Sequence, residues 1–132
     1  MYKDITTVEE AFKQKDIDLS KLPDLSSLPV KYSKGMLALL KLQVIIEAVN
    51  NDDPNEPEWN PDFNDEDEYK WYPWYIGGDK SGSGFRFYDS IYYWTASYAS
   101  GGARLALKDE ARATHMNKYF MELYKDLFLV IE

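Results

Sequence analysis

The sequence contains no cysteine and a single histidine, His115. The first absence excludes disulfides, thiolate zinc sites and cysteine nucleophiles. The second leaves no histidine pair for a metal, and there is no thiol for His115 to activate. Its position within a helical pattern marks it as a structural residue. Long apolar runs are also missing. The longest, MLALLKLQVIIEAV, is interrupted by Lys41, Gln43 and Glu47, too short and too polar to span a bilayer. The start, MYKDITTVEEAF, has no apolar core of a signal peptide. The expectation is a cytoplasmic protein with no membrane partner. Nor is there a basic stripe: the bases are scattered and outnumbered, which argues against nucleic-acid binding.

Several chemical motifs begin and fail. GGDKS places Asp79 before Lys80, where its charge would repel a phosphate. SGSGF has Ser81 where a nucleophile elbow needs glycine. The glycine spacing from Gly82 and Gly84 ends on Phe87. Asp62, Asn64 and Glu66 alternate as calcium ligands do, but an EF-hand would need glycine at Asp67 and glutamate at Pro73. The carboxylates are too many, and too plainly solvated, to nominate a glycosidase pair. No catalytic residue, cofactor or metal is therefore expected.

What is present is acidity in one place. The net charge is −8. Residues 51–68, NDDPNEPEWNPDFNDEDE, hold nine acids and no base; setting these aside leaves 14 acids against 15 bases. The plain reading is a solvated, solubilising loop. The functional readings are a cation site or a docking surface for a basic partner.

At 132 residues the chain amounts to one domain, 1–132, with 51–68 as an acidic insert. Thr7 with Glu10 forms a capping box and predicts a short helix over about 8–15. A proline-punctuated connector follows, with Leu19, Leu22, Leu25 and Leu28 spaced to pin it to the core. The apolar run from Met36 predicts a buried helix over about 31–50. The runs KWYPWYI, FRFYDSIYYWTASY and ARLALK are aromatic, β-branched or alternating, as strands are. Gly101-Gly102 reads as a hairpin turn and GGDKSGSG as a looser one. Pro73 places its strand at a sheet edge. Asp109 caps a last helix over about 110–130. The predicted fold is α+β: a three-stranded antiparallel sheet packed against two long helices, plus a short N-terminal helix.

Of 21 aromatic residues, 14 fall between Trp59 and Tyr98, including all four tryptophans. Alternation in KWYPWYI puts Trp71 and Pro73 on one face, Tyr72 and Trp74 on the other. Either both faces are covered, with Trp59 and Phe63 anchoring the acidic segment, or an aromatic platform is exposed.

The stretches KLQVIIEAVN, EWNPDFN, YKWYPWY and ARLALKDEA, in that order, resemble a family of small uncharacterised proteins of gut anaerobic bacteria and their phages. Leu107, where the family pattern has an aromatic, and the insert NDDPNEPE depart from it. The resemblance implies an intracellular, phage- or mobile-element-derived origin, and carries no activity or catalytic residues. The expected function is non-enzymatic binding of a macromolecular partner, a basic protein, through an acidic and aromatic face. Its candidate residues are Trp59, Asp65, Glu66, Asp67, Trp71, Trp74 and Trp94. The alternative is a small-molecule or carbohydrate-binding module that uses Trp71, Trp74 or Trp94 as a stacking platform.

Overall fold

The computed structural model describes residues 1–93 and 102–130. Trp94, Gly101 and the end of the run FRFYDSIYYWTASY lie outside the described residues. Helix α1 spans Val8–Gln14, and its Thr7 hydroxyl oxygen accepts the Glu10 N–H at 3.2 Å. The Thr7 hydroxyl also donates to the Glu10 carboxylate at 2.9 Å, so the two side chains of the expected capping box meet, but the reciprocal bond to the Thr7 N–H is not found among the described residues. Helix α2 spans Val30–Asn50. Helix α3 spans Glu110–Phe128 and starts at Asp109, whose carboxylate accepts the Arg112 N–H at 2.8 Å. These caps and limits follow the sequence expectation closely, because they depend on residues adjacent in the chain.

Two strands, β1 (Lys70–Ile76) and β2 (Arg86–Tyr93), form an antiparallel pair from Lys70 opposite Tyr93 to Ile76 opposite Arg86. The register shifts between Trp74 and Tyr75, leaving Tyr88 as the extra residue on β2. The loop joining the strands is organised around Asp79. Its carboxylate accepts from the Ser81 and Ser83 N–H groups and from the Ser81 hydroxyl.

The expected third strand is absent among the described residues. Residues Gly102–Leu105 form a 3-10 turn, and only Leu107 pairs with β1, through reciprocal 2.9 Å hydrogen bonds with Trp71. Leu105, Ala106 and Leu107 are all buried. Three consecutive buried residues leave no solvent face, so the apparent alternation in ARLALK does not reflect a half-buried strand. Trp71 turns its N–H and C=O away from β2, toward Leu107. Pro73, two residues on, faces the same way, so its missing N–H removes no bond to β2.

The core joins α1, α2, β1, the 102–105 turn and α3 around Leu42, Ile45, Val49, Tyr72, Leu107 and Met116. The helices α2 and α3 run antiparallel: Lys34 pairs with Asp126, while the Val49 carbonyl accepts from Arg112. The two long helices do not cover the sheet together; α3 lies across both strands and α2 packs on α3. Nor is α2 buried along its length. Ala38, Leu42, Ile45, Ile46, Ala48 and Val49 are core, but Val30, Tyr32 and Met36, in its first two turns, are exposed. The connector leucines are half-buried except Leu28, which is exposed.

Gly102 adopts φ +60, and a Cβ built there meets nothing within 4 Å. Its carbonyl accepts the Tyr72 hydroxyl at 2.9 Å. Gly102→Val should therefore cost at least about 1 kcal/mol from backbone strain alone. An unchanged urea midpoint would show that this glycine has no left-handed conformation to protect.

Candidate functional site

The acidic segment is a sequence of small turns. Asp53, Asp62 and Asp65 each accept, through a side-chain oxygen, the N–H two residues on, at 2.9 Å. This is the local bonding that makes Asp favour turns over helices. The Asp65 and Glu68 N–H groups donate to the Asp62 and Asp65 carbonyls at 3.2 and 3.3 Å. The Asp62 N–H donates to the Glu68 carboxylate at 2.7 Å. The segment is anchored at its start by the Trp59 N–H, which donates to Asn51 Oδ1 at 2.7 Å.

Its other anchor is a buried cation. Lys70 opens β1 and is 0% exposed. Alternation puts it on the same face as Tyr72, so its ammonium lies under the loop instead of in water. Lys70 Nζ donates to the Asp62 carbonyl at 2.5 Å and the Asp65 carbonyl at 2.9 Å. It also lies 3.5 Å from the Glu68 carboxylate and 5.2 Å from the centre of the Phe63 ring. A buried ammonium needs such partners, since desolvation is otherwise very costly. The chain's acidic run thus closes around one of its own bases.

The acids of this run have different fates. Asp65, Glu66 and Asp67 are exposed, as a solvated loop requires. Asp52 is not: its side chain is 1% exposed and pairs with Arg112 at 2.8 Å. Its second oxygen accepts the Tyr2 N–H at 2.5 Å. Burial pushes the Asp52 carboxyl up, but the Arg112 hydrogen bond, the Tyr2 amide and the Arg112 charge together hold it below its usual range. Glu56 reaches Lys108 at 3.6 Å. The reading of all nine acids as solvated is therefore corrected at Asp52, and Glu68 and Glu56 are partnered.

Three of the four tryptophans are separated. Trp59 is half-buried, packs against the core, and lines a cleft of about 200 Å³ with Gln43, Glu47, Asn51 and Arg104. Trp71 is half-buried beside Tyr92, with ring centres 5.1 Å apart. Trp74 is half-buried beside Tyr93 at 5.9 Å. Trp94 lies outside the described residues. Two tyrosines beside them are exposed: Tyr69, 47% exposed, stacks on Tyr92, 40% exposed, at 4.2 Å between centres. Both faces of β1 are occupied. Tyr72 sits in the core, and burial raises its hydroxyl's pKa. Tyr75 packs against Tyr124 and Phe128 of α3.

Asp65, Glu66, Asp67 and Trp71 therefore lie along one continuous stretch, with Tyr69 and Tyr92 added by the structure. Trp59 and Trp74 face elsewhere. Lys70 and Asp52 are functional positions that the structure adds. The period of two in KWYPWYI carries a signal for Lys70, while Asp52 has none because its partner is 60 residues away.

Among the described residues no helix is long and apolar enough to cross a membrane, and no three His, Cys, Asp or Glu side chains converge as metal ligands. Comparison with family models, curated proteins and solved structures finds no match.

Proposed function

We propose that the protein is a binding module that docks a basic segment of a protein partner on the face formed by the acidic turn and the adjoining tyrosines. One observation carries the reading. The turn is held in shape by Lys70 from beneath, so Asp65, Glu66 and Asp67 face outward without an ion pair among the described residues. Directly after it come Tyr69 and Tyr92, exposed and stacked. Carboxylates beside tyrosine faces suit arginine, which takes both carboxylate and aromatic partners. A preformed turn also lowers the ordering cost of association. Trp71 and Trp74 lie on opposite faces of β1 and form no shared stacking surface, which disfavours the carbohydrate alternative.

The test uses a fluorescein-labelled arginine-rich peptide as probe. Changing Asp65, Glu66 and Asp67 to Asn, Gln and Asn should leave stability within about 0.5 kcal/mol, because an amide side chain at position 65 keeps the turn's acceptor oxygen. Association should slow about tenfold at low salt, and the difference should vanish at about 1 M salt, where the Debye length is about 3 Å. The pair Tyr69→Ala and Tyr92→Ala should instead speed dissociation. Unchanged association by the charge variant, measured by stopped-flow, would sink the reading.

A further inference from the structure

On an acidic chain, one recess is lined by bases and no acid. It measures about 280 Å³ and lies between the 3-10 turn Tyr2–Asp4 and one face of α3, with Lys3, Thr114, His115, Lys118 and Tyr119 in its wall. Positions 114, 115, 118 and 119 recur at helical spacing, so α3 turns a single stripe toward it.

His115 is the buried member, 8% exposed. Its Nε2 lies 2.7 Å from the Ile5 carbonyl oxygen. A carbonyl can only accept, so Nε2 carries the hydrogen. Nδ1 is then the ring's remaining polar atom, and no described residue bonds to it. The ring is fixed by its neighbours, with Tyr2 at 5.2 Å edge-on and Tyr119 at 4.8 Å. The two lysines have no carboxylate partner among the described residues; Lys118 lies over the Tyr119 ring at 5.2 Å. Two acids of the adjoining segments are occupied elsewhere. Asp52 faces Arg112 and the Tyr2 amide, and Asp4 faces the Met1 amine at 3.0 Å.

We infer that this recess binds a small phosphate-bearing molecule. Two ammonium groups supply the charge that a dianion needs. The imidazole Nδ1 accepts from a protonated phosphate oxygen, or donates to a bare one when the ring is charged. The Tyr2 and Tyr119 rings provide an apolar wall for the group that carries the phosphate. A carboxylate has one charge and fewer acceptor oxygens, so it fits less well.

His115 is the chain's only histidine, so its ring signals in an NMR spectrum report on this recess alone. Inorganic phosphate and phenyl phosphate are titrated separately at fixed pH and ionic strength, with acetate and chloride as controls. The expected result is a saturable shift of the His115 signals with phosphate and no saturable shift with the controls. Tighter binding of phenyl phosphate would identify a monoester as the ligand, and equal binding would identify free phosphate. The double change Lys3→Gln and Lys118→Gln should weaken binding at least tenfold. Both residues are exposed, and the His115 signals without phosphate should stay in place, showing that the Ile5 contact survives. A response that is linear, matched by acetate, or kept in the double variant would overturn the inference.

Discussion

Arg112→Ala should destabilise the fold by about 3–5 kcal/mol, the size expected when a buried ion pair loses one partner. The guanidinium joins three parts of the chain. It donates to the Val49 carbonyl at 2.9 Å, to Asp52 at 2.8 Å, and to Asp109 at the start of its own helix. It also lies over the Tyr2 ring, 4.4 Å from its centre. Asp52 is 1% exposed beside this guanidinium, and removing it leaves the carboxylate charged without its counter-ion, with backbone N–H donors such as that of Tyr2 for support. Asp52→Asn should cost less, since a neutral amide needs no counter-charge.

The pair also predicts a pH signature. The Asp52 carboxyl is held below its ordinary value of 3.8. A carboxyl depressed by folding stabilises the folded state fully above its unfolded value, and that contribution is lost as pH falls through its folded value. Stability should therefore fall below about pH 4. Glu10, Asp18, Asp24 and Asp79 are depressed too, each chiefly by a side-chain hydrogen bond from a Ser or Thr. The Asp52 share is the difference between the natural protein and Asp52→Asn, whose acid limb should be shallower. Parallel limbs in urea unfolding at pH 3 and pH 6 would show that Asp52 gains nothing from Arg112.

Lys70→Met should cost about 2 kcal/mol and free the acidic turn. Hydrogen bonds from a charged donor are worth about 1.5–3 kcal/mol each, and Lys70 makes two to carbonyls. Against that, methionine removes the desolvation cost of a buried ammonium while keeping most of the stem's packing. Asp62 and Asp65 are exposed, so their carbonyls regain water once the turn opens. The net loss is therefore smaller than two full bonds. Its clearest sign should be rapid proteolysis between residues 51 and 68. Lys70→Arg should not restore the natural behaviour, because a planar guanidinium does not fit a pocket shaped for a compact ammonium. A variant as stable and protease-resistant as the natural protein would remove Lys70 from the account.

The parts of this fold legible in the sequence are those determined within a few residues. Thr7 with Glu10, Asp109 before α3, and the Asn50–Asn51 end of α2 are all local signals. The sheet was legible only in part. KWYPWYI carries its face assignment in its own alternation, and Pro73 marks the side turned from β2. ARLALK also alternates, yet Leu105, Ala106 and Leu107 are buried together, a fact decided by distant elements. Charge along a chain is a signal only in aggregate. Nine acids without a base look like a wet loop, and the exposed Asp65, Glu66 and Asp67 fit that view. Asp52 does not, because it meets its base, Arg112, only in the folded chain, 60 residues along; Glu68 has its base, Lys70, two residues on, just outside the acidic run.

The acidic segment is a built surface, held from below by Lys70 and charged above. Amide hydrogen exchange on the intact protein tests it most directly. The N–H groups of Trp59, Asp62, Asp65 and Glu68 each donate to an oxygen of the chain. They should exchange at least about tenfold more slowly than an unstructured chain, which corresponds to about 1.4 kcal/mol of local order. The Glu66 N–H, for which no such bond is found among the described residues, should exchange freely. Uniform exchange at unstructured rates across residues 59–68 would contradict the claim and leave the acids as a solubilising insert.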